Sequence, residues 1–274
     1  MSCAFLLSTC DSYEDTWDPF FRLLGKYWPN IPMKVYLNTE TKKYTPSTNL
    51  PFEVIPCNTS TSLPWGHRLI NVLDMIPDEY IFLVLDDFFL QNPVKSEFFH
   101  DLFRIMDENR NIASIQLKAA RLVQEGKREK EDCSKLEISE IDNTGWKTHF
   151  VPTIWRKSTL KKWLRKHESI WGFELYGSQR ARIWKYKEQV LAVDSPIIFD
   201  YLWVDGCSVI VNGKWLVAPE VDTFFPNNGI EVDLSLRGRI TLEEYRSRTL
   251  KDTIKKLSFG LFLKKCILRV CSLF

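Results

Sequence analysis

Glycine is scarce in this chain, 11 of 274 residues, and no G-x-G-x-x-G follows the first strand. That absence argues against a Rossmann-type oxidoreductase, whose phosphate-binding turn needs those glycines. Histidine is scarcer still. His67, His100, His149 and His167 stand far apart, in no H-x-H or H-E-x-x-H pattern, so zinc chemistry is not expected. The cysteines, at 3, 10, 57, 133, 207, 266 and 271, are odd in number and make no C-x-x-C pair. A disulfide framework is therefore not expected, and a reducing cytoplasm is. No apolar run has the length of a membrane-crossing helix. Met1–Leu7 lacks the basic flank and the length of a signal peptide.

What the chain does have is a core and rings. Hydrophobic residues make up 45% and charged residues 26%, the balance of a water-soluble folded protein. Aromatics reach 14%, with ten Trp, which fill cores and also form platforms for sugars and bases. The net charge of +2 is unevenly divided. Residues 251–274 hold six Lys/Arg and one Asp, or +5, so the first 250 carry 2 − 5 = −3. A mildly acidic body argues against nucleic acid as the partner.

Cys3–Leu7 reads as a buried strand, followed by a helix over Thr16–Tyr27 that ends at Trp28-Pro29-Asn30. Short strands are expected at Met33–Leu37 and Phe52–Ile55, and a helix over Trp65–Met75. A strand running to Asp86 and a helix over Val94–Asn109 come next, then strands at Ala113–Leu117 and His149–Trp155. Strand and helix alternating from the start predict an α/β fold: a mostly parallel central sheet with helices on both faces. The charged stretch Glu125–Asp142 reads as an excursion, and Phe224–Arg239 as a loop. Ser158 caps a short helix, Trp171–Arg182 is helical, and Asn212-Gly213 closes a hairpin. Thr241 and Glu244 form a capping-box signature for a last helix. The expected division is a domain over 1–240 and a basic, apolar helical tail over 241–274.

Candidate chemistry gathers at strand ends. Tyr80–Leu85 is a greasy strand that runs into Asp86 and Asp87. Ionised carboxylates are costly in a core, so the pair belongs where the strand ends, at the edge where open α/β sheets bind ligands. Two acids there suit a hard cation, Mg²⁺ or Mn²⁺, on substrate phosphates; the alternative is a pair that caps the following turn. Thr9, Asp11 and Tyr13 follow strand one and are suited to grip a nucleoside, unless Asp11 or Ser12 merely caps the next helix. Arg68 lies in the first turn of the helix at Trp65 and is either an anion ligand or a surface residue. Glu174, flanked by aromatics in Trp171-Gly172-Phe173-Glu174-Leu175-Tyr176, is a candidate general base if desolvated and an ordinary helical Glu if not.

The order T-C-D-S-Y at 9–13, W-G-H-R-L at 65–69, L-D-D-F-F-L at 85–90 and W-G-F-E-L-Y-G-S at 171–178 resembles the GT-A glycosyltransferases, especially those of bacterial lipopolysaccharide and capsule synthesis. The resemblance runs from about Ser2 to Val221. It implies a nucleotide-sugar donor, a UDP-sugar above all, and a glycan or lipid-linked glycan acceptor. It implies that Thr9, Asp11 and Tyr13 touch the nucleotide, with Arg68 and Asp86 also at the donor. Asp86 and Asp87 would hold the metal diphosphate, and Glu174 would meet the acceptor hydroxyl, with inversion at the sugar carbon. One departure from the family is Asp-Asp-Phe in place of D-x-D. Neighbouring strand residues face opposite ways, so either the chain turns at Asp86 or only one acid reaches the ion. The same spacing disfavours a haloacid-dehalogenase phosphatase, because Phe88 stands where a second Asp is needed. The reading from another class is a non-catalytic carbohydrate- or nucleotide-binding protein. The tail interleaves Lys255, Lys256, Lys264, Lys265 and Arg269 with large apolar residues, which suits either a packed last helix or a peripheral segment on the inner face of the cytoplasmic membrane.

Overall fold

Strands buried on both faces need helices above and below, and this chain supplies both. The structure is a computed structural model that describes residues 2–117, 135–142, 146–182 and 188–247. Two compact units divide the chain, Met1–Tyr201 and Leu202–Phe274, and the boundary expected at 240 falls inside the second.

In the first unit the elements run β1 (Cys3–Ser8), α1 (Glu14–Tyr27), β2 (Lys34–Thr39), β3 (Val54–Asn58), α2 (Trp65–Met75), β4 (Tyr80–Leu85), α3 (Phe99–Glu108) and β5 (Ile112–Gln116). Then come β6 (Glu137–Glu140), β7 (Thr153–Arg156), α4 (Lys157–Trp163), a helical stretch from Ile170 to Arg180, and β8 (Gln189–Ser195). The eight strands form one sheet in the order β3-β2-β1-β4-β7-β5-β8-β6. Pairings β1–β2, β2–β3, β1–β4 and β5–β8 are parallel, while β7 is antiparallel to both neighbours and β6 to β8. The α/β architecture with a mostly parallel sheet is thus the one the sequence predicts.

Both faces are covered. Phe5 of β1 and Phe82 of β4 meet edge to face at 5.4 Å, and Phe5 also lies 6.3 Å from Phe20 of α1. On the opposite face Ala4, Leu6, Ile81 and Leu83 share a buried cluster with Leu69, Val72 and Leu73 of α2. One strand therefore feeds two layers, as its alternation requires.

Three local expectations are corrected. The charged stretch ending at Asp142 carries an edge strand, β6, held by pairing to β8 where its own sequence is weakly patterned. The strand expected from His149 begins only at Thr153, because His149–Pro152 turns instead, with Val151 N–H donating to His149 O. In the second unit Pro219–Asn227 is a helix, α5, where Phe224–Arg239 was expected as loop. Its first turn opens on Pro219, a residue that costs nothing at that position because its missing N–H would be unpaired there anyway.

That second unit otherwise consists of β9 (Trp203–Val204), β10 (Cys207–Ser208), β11 (Ile210–Val211), β12 (Lys214–Leu216) and β13 (Arg239–Ile240). Asn212 and Gly213 have φ of 52° and 73°, the two left-handed residues a tight hairpin needs. Thr241 and Glu244 close the predicted capping box, each backbone N–H donating to the other's side chain at 3.0 and 3.1 Å. The expected tail lies, beyond Ser247, outside the described residues. Among the described residues no helix is long and apolar enough to cross a membrane.

Candidate active site at the switch point of the sheet

The strand order places a topological switch between β1 and β4. From β1 the chain winds outward through β2 and β3, then returns to lay β4 on the other side of β1. Connections leave opposite faces at such a point, and the crevice between the two carboxyl ends is where open α/β sheets bind ligands. Thr9 follows β1 there and Asp86 follows β4.

These two residues are joined. The Thr9 hydroxyl donates to Asp86 Oδ2, and Trp17 Nε1 donates to Thr9 Oγ1 at 2.9 Å. Thr9 and Asp86 are both buried. The chain turns at Asp86-Asp87, with Phe88 N–H donating to Leu85 O at 3.3 Å. A turn at Asp86 is the first of the two arrangements that the Asp-Asp-Phe spacing left open. Asp87 faces a second set of groups: Phe88 packs on Tyr201 with ring centroids 4.5 Å apart, and Leu90 bridges to Tyr201. Burial pushes the Tyr201 phenol up, and the nearby charges of Asp87 and Asp200 push it further. Asp200 is fixed by Gln91 Nε2 at 2.9 Å and Asn92 Nδ2 at 2.5 Å.

Asp11 is occupied locally. Its carboxylate accepts from the backbone N–H groups of Glu40, Thr41 and Lys42 and from the Thr41 hydroxyl. Burial pulls its pKa upward, but these donors together outweigh burial and hold it below the ordinary value. Asp11 N–H in turn donates to Glu40 Oε2 at 3.0 Å, and Glu40 Oε1 lies 2.8 Å from Arg68 Nη1. Arg68 is therefore a buried cation paired with Glu40, not a surface residue. Tyr13 ends the short 3-10 turn Asp11–Tyr13 and is half-buried. The start of α2 is covered, since Gly66 N–H donates to Glu168 O at 2.9 Å.

Glu174 reaches the same edge by another route. Strand β7 runs antiparallel to β4 with Thr153 opposite Leu83, so His149–Pro152 sits where β4 delivers Asp86. Phe150 N–H donates to Glu174 Oε1 at 3.1 Å, and His149 Nε2 lies 3.5 Å from the same oxygen. Burial raises the Glu174 pKa, with the Phe150 hydrogen bond opposing. Its side chain is 16% exposed, so it is the desolvated acid of the two alternatives. Glu174 belongs to a π-helical turn, Phe173–Gly177, a rare form that is frequent at functional sites. The Thr148 hydroxyl lies within hydrogen-bond reach of the Phe173 and Glu174 carbonyls at 3.0 and 2.9 Å. The far end is anchored by a buried, two-pronged pair, Arg180 with Glu168, at 2.6 and 2.8 Å.

Trp65 links the two halves. Its Nε1 donates to Ser8 Oγ at 3.3 Å, and its ring packs on Phe150 and Phe173 at 5.5 and 5.8 Å. A continuous path thus runs from Asp86 through Thr9, Ser8, Trp65 and Phe150 to Glu174. Glu40, His149, Asp200 and Tyr201 also stand at this edge, and no sequence motif singles them out. Glu40 had a signal, its place just past the end of β2; the others are brought in by long-range pairing.

Whether this edge suits a divalent cation turns on the donor set. Asp86 and Asp87 offer hard carboxylate oxygens at one turn, and Mg²⁺ is commonly held by one or two carboxylates with the rest of its shell from phosphate and water. The residues fit that arrangement. Among the described residues no cluster of three or more His, Cys, Asp or Glu is placed to hold a metal by itself.

No family model matches this sequence, and no curated protein does. Among solved structures the chain is similar to S. aureus TarS 1-349, with 12% identity over 73% of this chain and 60% of that one, at a TM-score of 0.43. It is similar to a CMP:2-keto-3-deoxy-manno-octonic acid synthetase solved with CTP, with 10% identity over 73% of this chain and 94% of the other, TM-score 0.40. It is also similar to the galactosyltransferase LgtC in complex with donor and acceptor sugar analogs, with 11% identity over 66% and 64% of the two chains, TM-score 0.35.

Proposed function

We propose that this chain is a glycosyltransferase that moves a sugar from a nucleotide-sugar donor to a hydroxyl of a glycan or lipid-linked glycan. The observation that carries the reading is the single edge shared by a paired acid at the β1/β4 switch point and a desolvated acid on a π-helical turn. The nucleoside lies along Thr9 and Tyr13, with Asp11 shaping the Glu40–Lys42 loop beside it. Arg68, positioned by its pair with Glu40, is assigned as a donor to the diphosphate oxygens. A divalent cation on Asp86 and Asp87 would neutralise charge developing on the departing diphosphate.

Glu174 is the general base in this reading. Both contacts from Phe150 and His149 fall on Oε1, and Oε2 is the atom assigned to the acceptor proton. As that proton leaves, the hydroxyl oxygen attacks the sugar carbon from the face opposite the diphosphate. The C–O bond to the diphosphate breaks and the configuration inverts. Placement at the inner face of the cytoplasmic membrane, through the basic tail, would suit an acceptor carried on a lipid, as in lipopolysaccharide or capsule synthesis.

Calorimetry with UDP and Mn²⁺, followed by a screen of nucleotide sugars for release of nucleoside diphosphate, tests the proposal. Binding of UDP with donor hydrolysis is the expected result. Binding without turnover of any donor or acceptor pair would leave a carbohydrate- or nucleotide-binding protein instead. Asp87→Asn is expected to lower transfer by several kcal/mol of transition-state stabilisation, on the order of a lost metal contact, with an unchanged circular dichroism spectrum. Near-normal turnover in that variant would remove the metal-diphosphate role.

A further inference from the structure

Most indoles among the described residues are buried. Trp17, Trp28, Trp155, Trp163 and Trp215 are all buried. Among the described residues Trp65 and Trp203 are half-buried, and two indoles are exposed: Trp171 at 71% and Trp146 at 47%. Both stand beside Glu174. Trp171 precedes it by three residues, which makes the two neighbours on one helical surface. On the other side Trp146 lies 6.3 Å from the His149 ring, and His149 Nε2 is 3.5 Å from Glu174 Oε1. The order across this surface is therefore indole, imidazole, carboxylate, indole.

Neither ring stands on loose backbone. Gln116 Nε2, from the end of β5, donates to Trp146 O at 3.1 Å and to Lys147 O at 3.3 Å. Beneath Trp171, the Ser169 side chain accepts from Gly172 N–H at 3.1 Å. Backbone fixed before the ligand arrives leaves only the rotation of each ring to be lost on binding. Flat apolar faces alternating with hydrogen-bonding groups match one ligand chemistry closely. A pyranose presents C–H groups on its faces and hydroxyls around its rim, so a ring stacks on indole while its hydroxyls meet His149 and Glu174.

We infer that Trp146 and Trp171 form the acceptor subsite, two stacking platforms that hold pyranose rings on either side of the hydroxyl addressed by Glu174. The inference deepens the transferase reading and rests on it for the word acceptor. It commits the acceptor to at least two sugar rings near the reacting hydroxyl, and so excludes an isolated lipid alcohol or a simple polyol.

The test uses the full chain labelled with fluorotryptophan, the two exposed resonances being assigned with Trp146→Phe and Trp171→Phe. Chitopentaose, maltopentaose and cellopentaose are titrated in turn, and UDP with Mn²⁺ is titrated into a separate sample. At least one oligosaccharide is expected to shift both resonances. Trp171→Ala should weaken that binding by about tenfold, the size of one lost ring contact. Trp171→Phe should keep most of the affinity, and Met75→Ala, at an exposed apolar side chain elsewhere, should keep all of it. Titrations that move neither resonance, or only one, overturn the inference, as does equal binding by Trp171→Ala. UDP binding with no oligosaccharide shift would sink the subsite and spare the transferase reading. Oligosaccharide binding with no UDP binding would do the reverse.

Discussion

Glu174 sits where burial and a hydrogen bond pull its titration in opposite directions, and burial wins. The folded chain therefore binds that proton more tightly than the unfolded chain does. From the ordinary value of 4.5 up through the raised folded value, stability falls as pH rises, because the unfolded state releases the proton first. Glu174→Gln removes this loss while its amide oxygen still accepts from Phe150 N–H. The variant is expected to need more denaturant to unfold than wild type at neutral pH, with the gap closing as pH falls toward 4.5. In the same variant kcat should fall by about 10²–10⁴ while UDP affinity barely changes. Wild-type kcat/KM should lose activity on the acid side at a pH above that of an ordinary carboxylate. Loss of UDP binding in Glu174→Gln would instead put the residue in the donor pocket. Whether Glu174 is desolvated was half-visible in its aromatic neighbours; that Phe150 and His149 hold it was not, since both arrive with β7.

Between residues and the whole, helix α2 shows how closely two elements approach behind the site. A Cβ added to Gly66 would come within 2.2 Å of the Arg165 carbonyl oxygen, which is backbone and has nowhere flexible to go. Gly66→Ala is expected to push α2 away from the segment 165–168, at a cost of about 1–3 kcal/mol. A lower urea midpoint with an unchanged m-value checks it, and a wild-type midpoint would show that the contact yields freely. The helix itself was legible from Leu69, Val72, Leu73 and Ile76 on one face. The need for Gly66 was not, because the clash is with a segment about a hundred residues later. The same holds for the π-helical turn. Its sequence reads as ordinary helix, and only its partners Thr148 and Ser178, 2.8 Å apart, single it out.

For the molecule as a whole, charge is the property that distinguishes its ends: −3 over 250 residues and +5 over 251–274. Each basic residue near an anionic leaflet contributes about 1 kcal/mol, so Lys255, Lys256, Lys264, Lys265 and Arg269 together suffice for peripheral attachment. The protein is expected to sediment with phosphatidylglycerol vesicles at low salt and to leave them as ionic strength rises. Truncation after Lys251 should abolish sedimentation and spare nucleotide-sugar hydrolysis. Equal sedimentation of the truncated chain would dismiss the tail as an anchor. At this scale the alternating strands and helices, and the position of Asp86 at a strand end, were legible because they rest on local periodicity. The reversal of β7 and the packing of Tyr201 on Phe88 were not, because pairing across distant sequence leaves no local pattern.

The place of β7 in the sheet has a bearing on how the chain is made. Until residues 153–156 emerge, β4 has β1 on one side and a bare row of backbone donors and acceptors on the other, in its greasiest stretch. Strand β5 cannot close the gap, because it pairs with β7 and not with β4. A nascent chain that stops short of Thr153 therefore presents an open apolar edge, the template on which chains join to one another. A fragment ending at Leu117 is expected to form aggregates visible by light scattering. Adding a peptide that spans 149–163 should suppress them. The reversed strand would then act during synthesis as a stopper for the sheet, and the edge that carries Asp86 would be among the last parts of the molecule to close.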